Sequence, residues 1–356
     1  YIKSLLLNGV FAKMGGKLLI DSLNGLVTER PPFWFMRQAG RYLPEYRELR
    51  SKTGSFIDLC LNKGASTEVT LQPIRRFDPD AAILFSDILI VPYGLGMDVR
   101  FEEGKGPILD AVSNRDGVDR LSLNKSWSKI ESTYETVASV KSQLEPEKAL
   151  IGFSGSPWTV ATYMVEGKSS KDYATVKGWA YREREGFGTL IDLLVEASIK
   201  HLSLQIDAGV DAVKIFDTWA GVLSPEEFQR WVIEPSCKIC HELRRRYPDV
   251  KIIGFPKGVG VGYVDYTRKV DVDAIAIDTS VSPAWAAEYL QNEVAVQGNL
   301  DPIVLIEGGN AMIEQAQNIK KSLQNGPFIF NLGHGVLPST PVENLIKLAK
   351  YLKTSP

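Results

Sequence analysis

Two arginines stand four residues apart in the run Arg37-Gln38-Ala39-Gly40-Arg41-Tyr42. A guanidinium fork grips a carboxylate or phosphate through two parallel N–H bonds. Two forks in one loop, beside a glycine that lets the backbone turn, suit a ligand with several anionic groups. The same pair is equally compatible with surface ion pairs to Glu45 or Glu48. A second candidate is Asp87, a lone carboxylate in the apolar stretch Phe85-Ser86-Asp87-Ile88-Leu89. A carboxylate in apolar surroundings costs several kcal/mol unless a cation or N–H donors meet it. It caps the next helix or pairs with an arginine, or it is an anion held for a positive charge that develops during a reaction. Of the three histidines, His201 lies in an amphipathic stretch and reads as structural. His334 stands between Gly333 and Gly335 and reads as functional.

Several motifs carry less. Gly152-Phe153-Ser154-Gly155-Ser156-Pro157-Trp158-Thr159 lacks the Gly-Lys-Ser/Thr ending of a phosphate loop and the Gly-x-Ser-x-Gly of a nucleophile elbow. Gly258-Val259-Gly260-Val261-Gly262 begins like a dinucleotide fingerprint but has no third glycine at the needed offset. Cys237-Lys238-Ile239-Cys240-His241 has the spacing of covalent c-type haem attachment. It falls in an expected helix over 225–246, and the one other cysteine is Cys60, so it reads as a chance match and not as half of a zinc site.

These residues need a scaffold. The chain has 356 residues, enough for two average domains or one α/β barrel with insertions. Lys and Arg total 41 against 43 Asp and Glu, a net charge of −2, which argues against a general nucleic-acid binder. Three cysteines exclude a disulfide scaffold and fit a reducing compartment. No apolar run reaches the roughly 18 residues that span a bilayer, so no membrane association is expected. The short Leu5-Leu6-Leu7 patch is broken by Asn8 and Gly9, unlike a signal peptide. The chain opens on Tyr1, which leaves room for a removed targeting segment. The expected location is the cytoplasm, or a plastid if a transit peptide has been cleaved.

Eight short apolar runs recur, at 33–36, 81–85, 149–153, 212–216, 251–255, 274–277, 294–297 and 328–332, with helical patterns between them. Apolar runs without alternation are how parallel strands covered on both faces read. Eight strand–helix units predict a single (β/α)8 TIM barrel, with a doubly wound sheet as the alternative. Thr340-Pro341-Val342-Glu343 and Ser224-Pro225-Glu226-Glu227 read as capping boxes with proline at the first helical position. The first opens a helix with Val342, Leu345, Ile346, Ala349 and Leu352 on one face. The longer spacers after the first three strands leave room for extra helices. On a barrel the chemistry lies at the C-terminal strand ends. The residues there are Arg37 to Arg41, then Asp87, then Gly155 to Pro157 with Tyr163, then Asp217 and Thr218, Pro256 and Lys257, Asp278, Asn299 and Asp301, and His334.

The run from Pro32 through Arg37-Gln38-Ala39-Gly40-Arg41 to Arg47 closely resembles the N-terminal signature of the uroporphyrinogen decarboxylase family. Gly152 to Tyr163 is similar to the family's second signature. Phe85-Ser86-Asp87-Ile88-Leu89, Phe216-Asp217-Thr218-Trp219 and Asn331-Leu332-Gly333-His334-Gly335 resemble further segments in the right order. The resemblance runs from about Leu18 to Leu352, and the Thr218-Trp219 pair is like the bacterial and plant form. It implies a barrel domain over 18–356 after an extension over 1–17 with no assigned role, and a homodimer. It also implies conversion of uroporphyrinogen III to coproporphyrinogen III with loss of four CO2, in haem and chlorophyll biosynthesis, without metal or organic cofactor. Family substrate positions fall on Arg37, Gln38, Ala39, Gly40, Arg41, Asp87, Tyr163, Thr218 and His334.

The chemistry suits those residues. A substrate with eight carboxylates explains paired arginines in a near-neutral chain. Protonating the pyrrole carbon that bears the acetate makes the ring its own electron sink, a task that cofactors usually perform. Asp87 would face the resulting cation at the pyrrole N–H groups. Arg37, Tyr163 and a substrate carboxyl are the candidate proton donors, although a guanidinium with a pKa above about 12 is a poor acid. Related methyltransferases of this fold use a His-x-Cys zinc site, and no His-x-Cys occurs in this chain. A tetrapyrrole carrier is the remaining alternative.

Overall fold

The computed structural model describes residues 16–102 and 104–354, so most of the 1–17 extension lies outside the described residues. Seven parallel strands run in ring order: β1 (Ala81–Ile83), β4 (Ala149–Gly155), β5 (Ala212–Asp217), β6 (Lys251–Pro256), β7 (Ala274–Ala276), β8 (Ala295–Leu300) and β9 (Phe328–Leu332). The eighth place is taken by residues 32–35. Phe33 bridges Phe330 in parallel, the Phe330 N–H donates to the Pro32 carbonyl (2.8 Å), and the Asp80 N–H donates to the Phe33 carbonyl (2.9 Å). The ring therefore closes as expected, but its first member is a bridge and not a full strand. The reason is local: Pro31 and Pro32 have no N–H to give to a ladder. A side-chain clasp compensates. Asp80 accepts both Arg30 guanidinium nitrogens (2.8 and 2.7 Å) and the Phe33 N–H (2.8 Å).

Alternate residues fill the barrel. Ala81, Ala149, Ala212, Ala274 and Ala295 form its narrow N-terminal end, where Leu19 and Leu23 of the helix Leu18–Leu23 pack in one cluster with them. Small strand-start residues leave the space that these two leucines fill. The plug is tied by Lys17 to Asp211 (2.7 Å). One layer up stand Trp34, Ile151, Ile253, Gln297, Ile329 and, unexpectedly, Lys214. The Lys214 ammonium is fully buried, with the rings of Trp34, Phe216 and Phe255 at 4.8–5.0 Å and the Met36 sulfur at 3.7 Å. Burial pushes its pKa well below the usual lysine range.

The spacers hold the expected extra helices and one unforeseen element. An antiparallel hairpin, β2 (Val99–Glu102) with β3 (Gly106–Leu109), follows β1. Neither capping box forms. Thr340 is buried with its hydroxyl unpartnered among the described residues. Glu227 turns inward to accept the Trp231 indole N–H (2.6 Å) instead of reaching back to Ser224. The helix Val342–Thr354 buries Leu345, Leu348, Ala349 and Leu352, leaving Ile346 41% exposed. No helix among the described residues is long and apolar enough to cross a membrane.

His201 is buried on the helix Arg184–Asp207, 3.1 Å from the Tyr134 hydroxyl and edge-on to Trp127. Burial lowers its pKa from 6.5 to about 4. A depressed histidine folds neutral, so its contribution is intact above about pH 6.5 and is lost as the pH falls toward 4. We expect urea stability to decline by roughly 3 kcal/mol more across that window in the native chain than in His201→Gln. Equal pH slopes in parallel titrations would remove His201 as the cause.

Candidate active site

The C-terminal strand ends gather the chemistry-bearing residues. Arg37 has φ 58°, in the left-handed region that a non-glycine residue enters only when its surroundings hold it there. The holding group is Gln38. Its side-chain oxygen accepts the Phe35 N–H (3.2 Å), its amide donates to the Ala81 carbonyl (3.2 Å), and its own carbonyl takes the Tyr42 hydroxyl. Gln38 is buried and engaged at both ends of its amide, so its side chain braces the loop. The stem of Arg37 lies over Gly335, where any Cβ would collide with it. Gly333 likewise packs against the Thr279 backbone, where a Cβ would sit at 2.6 Å. These two close approaches explain the glycines on either side of His334.

The surface-pair reading of the arginines does not hold. Glu45 is bound by Arg76 (2.8 Å) and Glu48 by Lys52 (2.7 Å). No ion pair engages Arg37 or Arg41 among the described residues. Arg41 is exposed, and its carbonyl is fixed by Arg47 (2.8 Å). Ala39 and Gly40 are partly open on the same loop.

Asp87 follows β1. One carboxylate oxygen accepts the Leu89 N–H (2.9 Å), which closes the turn into the next helix. Burial raises its pKa to about 6, against the opposing pull of that N–H and of Arg37. Tyr163 is raised by burial and then by the Asp87 charge, and it too feels Arg37. Its ring lies 6.2 Å from Trp219. His334 is lowered to about 4 by burial first and then by the positive charges of Arg37 and Lys257. Arg37, Asp87, Tyr163 and His334 therefore share one electrostatic neighbourhood, in which the imidazole is neutral and the phenol protonated at neutral pH.

Thr218 is positioned by its neighbours. The Thr159 hydroxyl donates to buried Asp217 (2.5 Å) and accepts the Trp219 N–H (3.1 Å), while the Trp158 indole donates to the Trp219 carbonyl (2.9 Å). Thus 158–159 hold the 217–219 turn at the end of β5. Asp217 gives one oxygen to this clip, its other oxygen is buried without a partner among the described residues, and burial raises its pKa to about 6. A Cβ at Gly155 would meet Ile88 at 2.9 Å, so this glycine lets the Asp87 turn lie against β4.

Other strand-end groups are structural. Asp278 accepts from the Gly258 N–H (2.6 Å), the Tyr263 hydroxyl (2.9 Å) and both donors of Ser280. Asn299 donates to the carbonyls of Asp278 and Val281. Asp301 caps the helix Pro302–Glu307. Cys240 is buried and Cys237 donates to the Lys269 carbonyl (3.3 Å), so this pair presents no open attachment site. Among the described residues no group of three or more His, Cys, Asp or Glu is placed to hold a metal. Sequence reasoning missed the aromatic floor beneath the mouth, Phe153–Phe216–Phe255, with ring centroids 5.6 and 6.2 Å apart. It also missed Lys214 below that floor, whose signal was a charge inside an apolar strand run.

Comparison with known proteins adds an independent line. The family description "Uroporphyrinogen decarboxylase (URO-D)" matches residues 15–355. A uroporphyrinogen decarboxylase of Rhodospirillum rubrum is 49% identical over 337 residues, covering 95% of this chain and 97% of that protein. One from Brucella anthropi is 50% identical, covering 93% of this chain and 96% of its own length. Among solved structures, a methyltransferase from Methanosarcina mazei superposes with a TM-score of 0.78 at 16% identity, covering 95% of this chain and 98% of its own, which speaks for the fold alone.

Proposed function

The chain belongs to the uroporphyrinogen decarboxylase family, and on that premise we propose that it converts uroporphyrinogen III to coproporphyrinogen III, releasing four CO2 in porphyrin biosynthesis. The observation that carries this reading is the near-50% identity to curated uroporphyrinogen decarboxylases over almost the whole length.

The site chemistry supports it. Arg37 and Arg41, without acidic partners among the described residues, suit the substrate's carboxylates. Ala39 and Gly40 lack bulk and admit the macrocycle, while Gln38 keeps the loop in shape. Asp87 meets the pyrrole N–H groups and stabilises the positive charge that appears when a ring carbon is protonated. The protonated ring takes the electron pair as the acetate carbon–carboxyl bond breaks, CO2 leaves, and the exocyclic carbon takes up a proton to become methyl. Arg37 and Tyr163 are the proton-bearing groups within electrostatic reach of Asp87. Thr218 and neutral His334 add hydrogen-bond partners at the rim. No metal or organic cofactor enters this scheme.

We read the barrel domain as 18–356, working as a homodimer in the cytoplasm. Exposed apolar side chains beyond the strand ends, Val261 and Ile303, support the dimer, and three free thiols support the compartment. The test is incubation of chelator-treated protein with uroporphyrinogen III under exclusion of oxygen. We expect four CO2 per macrocycle and a four-carboxylate product. No CO2, or activity that appears only after zinc is restored, overturns the reading.

A further inference from the structure

We propose that Lys257 is a second carboxylate-gripping residue, on the wall of the barrel mouth that faces the arginine loop. The ring order places it there. From segment 32–35 one reaches β6 by crossing β1, β4 and β5 in one direction, or β9, β8 and β7 in the other. Lys257 directly follows β6, so it stands diametrically across from Arg37 and Arg41.

Its backbone is fixed. The Lys257 N–H donates to the Asp217 carbonyl (3.0 Å), and the Gly221 N–H donates to the Lys257 carbonyl (3.0 Å). The residue is thereby tied to the turn that carries Thr218. Its side chain, by contrast, is partly open, and no hydrogen bond or ion pair engages the ammonium among the described residues. Of the nearby acids, Asp278 is occupied by Gly258, Tyr263 and Ser280, and Asp217 is buried with one oxygen on Thr159; neither forms an ion pair with Lys257. Its place at the end of β6 puts the side chain at the rim, and its charge, like those of Arg37 and Lys214, bears on the His334 imidazole. Cations on opposite walls of the ring, Lys257 and Arg37, therefore both bear on one histidine, with Lys214 adding to them from the barrel interior.

This role rests on the reaction proposed above. A macrocycle with carboxylates around its whole edge needs cations on both walls, and the arginine loop covers one of them. The two walls differ in kind. A guanidinium fork demands one planar geometry, whereas an ammonium on a flexible stem is a point charge that follows a moving partner. Such a contact suits a substrate presenting a new edge for each of four successive decarboxylations.

The experiment compares the native chain with Lys257→Met and Lys257→Arg. NMR titration of the His334 imidazole needs no substrate. In Lys257→Met its pKa should rise, and in Lys257→Arg it should stay near the native value. In turnover, Lys257→Met should raise KM for uroporphyrinogen about tenfold with little change in the first-step kcat. It should also release macrocycles with seven, six and five carboxylates, and Lys257→Arg should recover much of the KM. An unmoved His334 titration means that Lys257 does not face the mouth, and it overturns the proposal. Native turnover with an unchanged KM in Lys257→Met overturns the proposal and leaves the reaction standing. Absence of native turnover overturns both.

Discussion

Asp87→Asn lowers kcat at least about a hundredfold, roughly 2.7 kcal/mol and comparable to removing one oxyanion-hole donor, while KM changes little. Asparagine keeps the size of the side chain and the oxygen that accepts the Leu89 N–H, so the turn survives. What it removes is the anion, which is needed most when the pyrrole ring becomes a cation and much less in the neutral substrate core. The thermal readout separates this from a structural role. Burial raises the Asp87 pKa to about 6, above the unfolded value of 3.8, so the folded chain favours the neutral acid and the charge is a burden at pH 7. The asparagine variant should therefore melt at the same temperature or higher while turning over far more slowly. In the native enzyme, kcat/KM should fall as the pH drops through about 6. A folded variant with near-native kcat would take Asp87 out of the mechanism.

Asp80→Ala is the stability counterpart. It leaves the Arg30 guanidinium and the Phe33 N–H, both largely enclosed, without their acceptor. Breaking such a pair costs about 3–5 kcal/mol, because the abandoned charge stays in place. The loss falls on the segment least able to bear it, since 32–35 is held by two main-chain hydrogen bonds to Phe330 on one side and one from Asp80 on the other, and not by a full ladder. Arg37 and Arg41 lie immediately beyond. We expect the urea midpoint to drop, hydrogen exchange at Phe33 and Trp34 to accelerate first, and KM to rise in the remaining folded protein. Exchange that speeds up uniformly across all strands would show that the clasp has no special tie to the closing segment.

The strands were legible in the sequence because a parallel strand covered on both faces cannot carry alternating polarity, and all eight runs fall on the ring. The reduction of 33–36 to a bridge depends on what Pro31 and Pro32 lack, which an apolar count does not register. The capping boxes failed for a tertiary reason: Thr340 is buried and Glu227 is claimed by Trp231. Asp87 and His334 stood out by type, one as a charge in an apolar run and the other between two glycines whose need appears only once Arg37 and Thr279 press against them. Gln38 was equally visible, but spacing places a residue in a loop without telling that its side chain turns inward to Phe35 and Ala81. Asp217, Asp278, Asn299 and Asp301 show the same limit. Strand-end position was right, yet each binds a neighbour that lies far away in sequence or forms a local cap. The hairpin β2–β3 and the leucine plug gave no periodic signal long enough to read.

The caged Lys214 amine has a use unrelated to catalysis: it is a built-in clock for barrel opening. Three rings and a thioether close around it, so an amine-directed acylating reagent in the solvent has no path to it while the ring of strands is shut. Exposed lysines are acylated at once, and Lys214 only in molecules caught open. Peptide mapping of its label against time then counts openings of the barrel interior directly, with the surface lysines of the same sample as the internal zero.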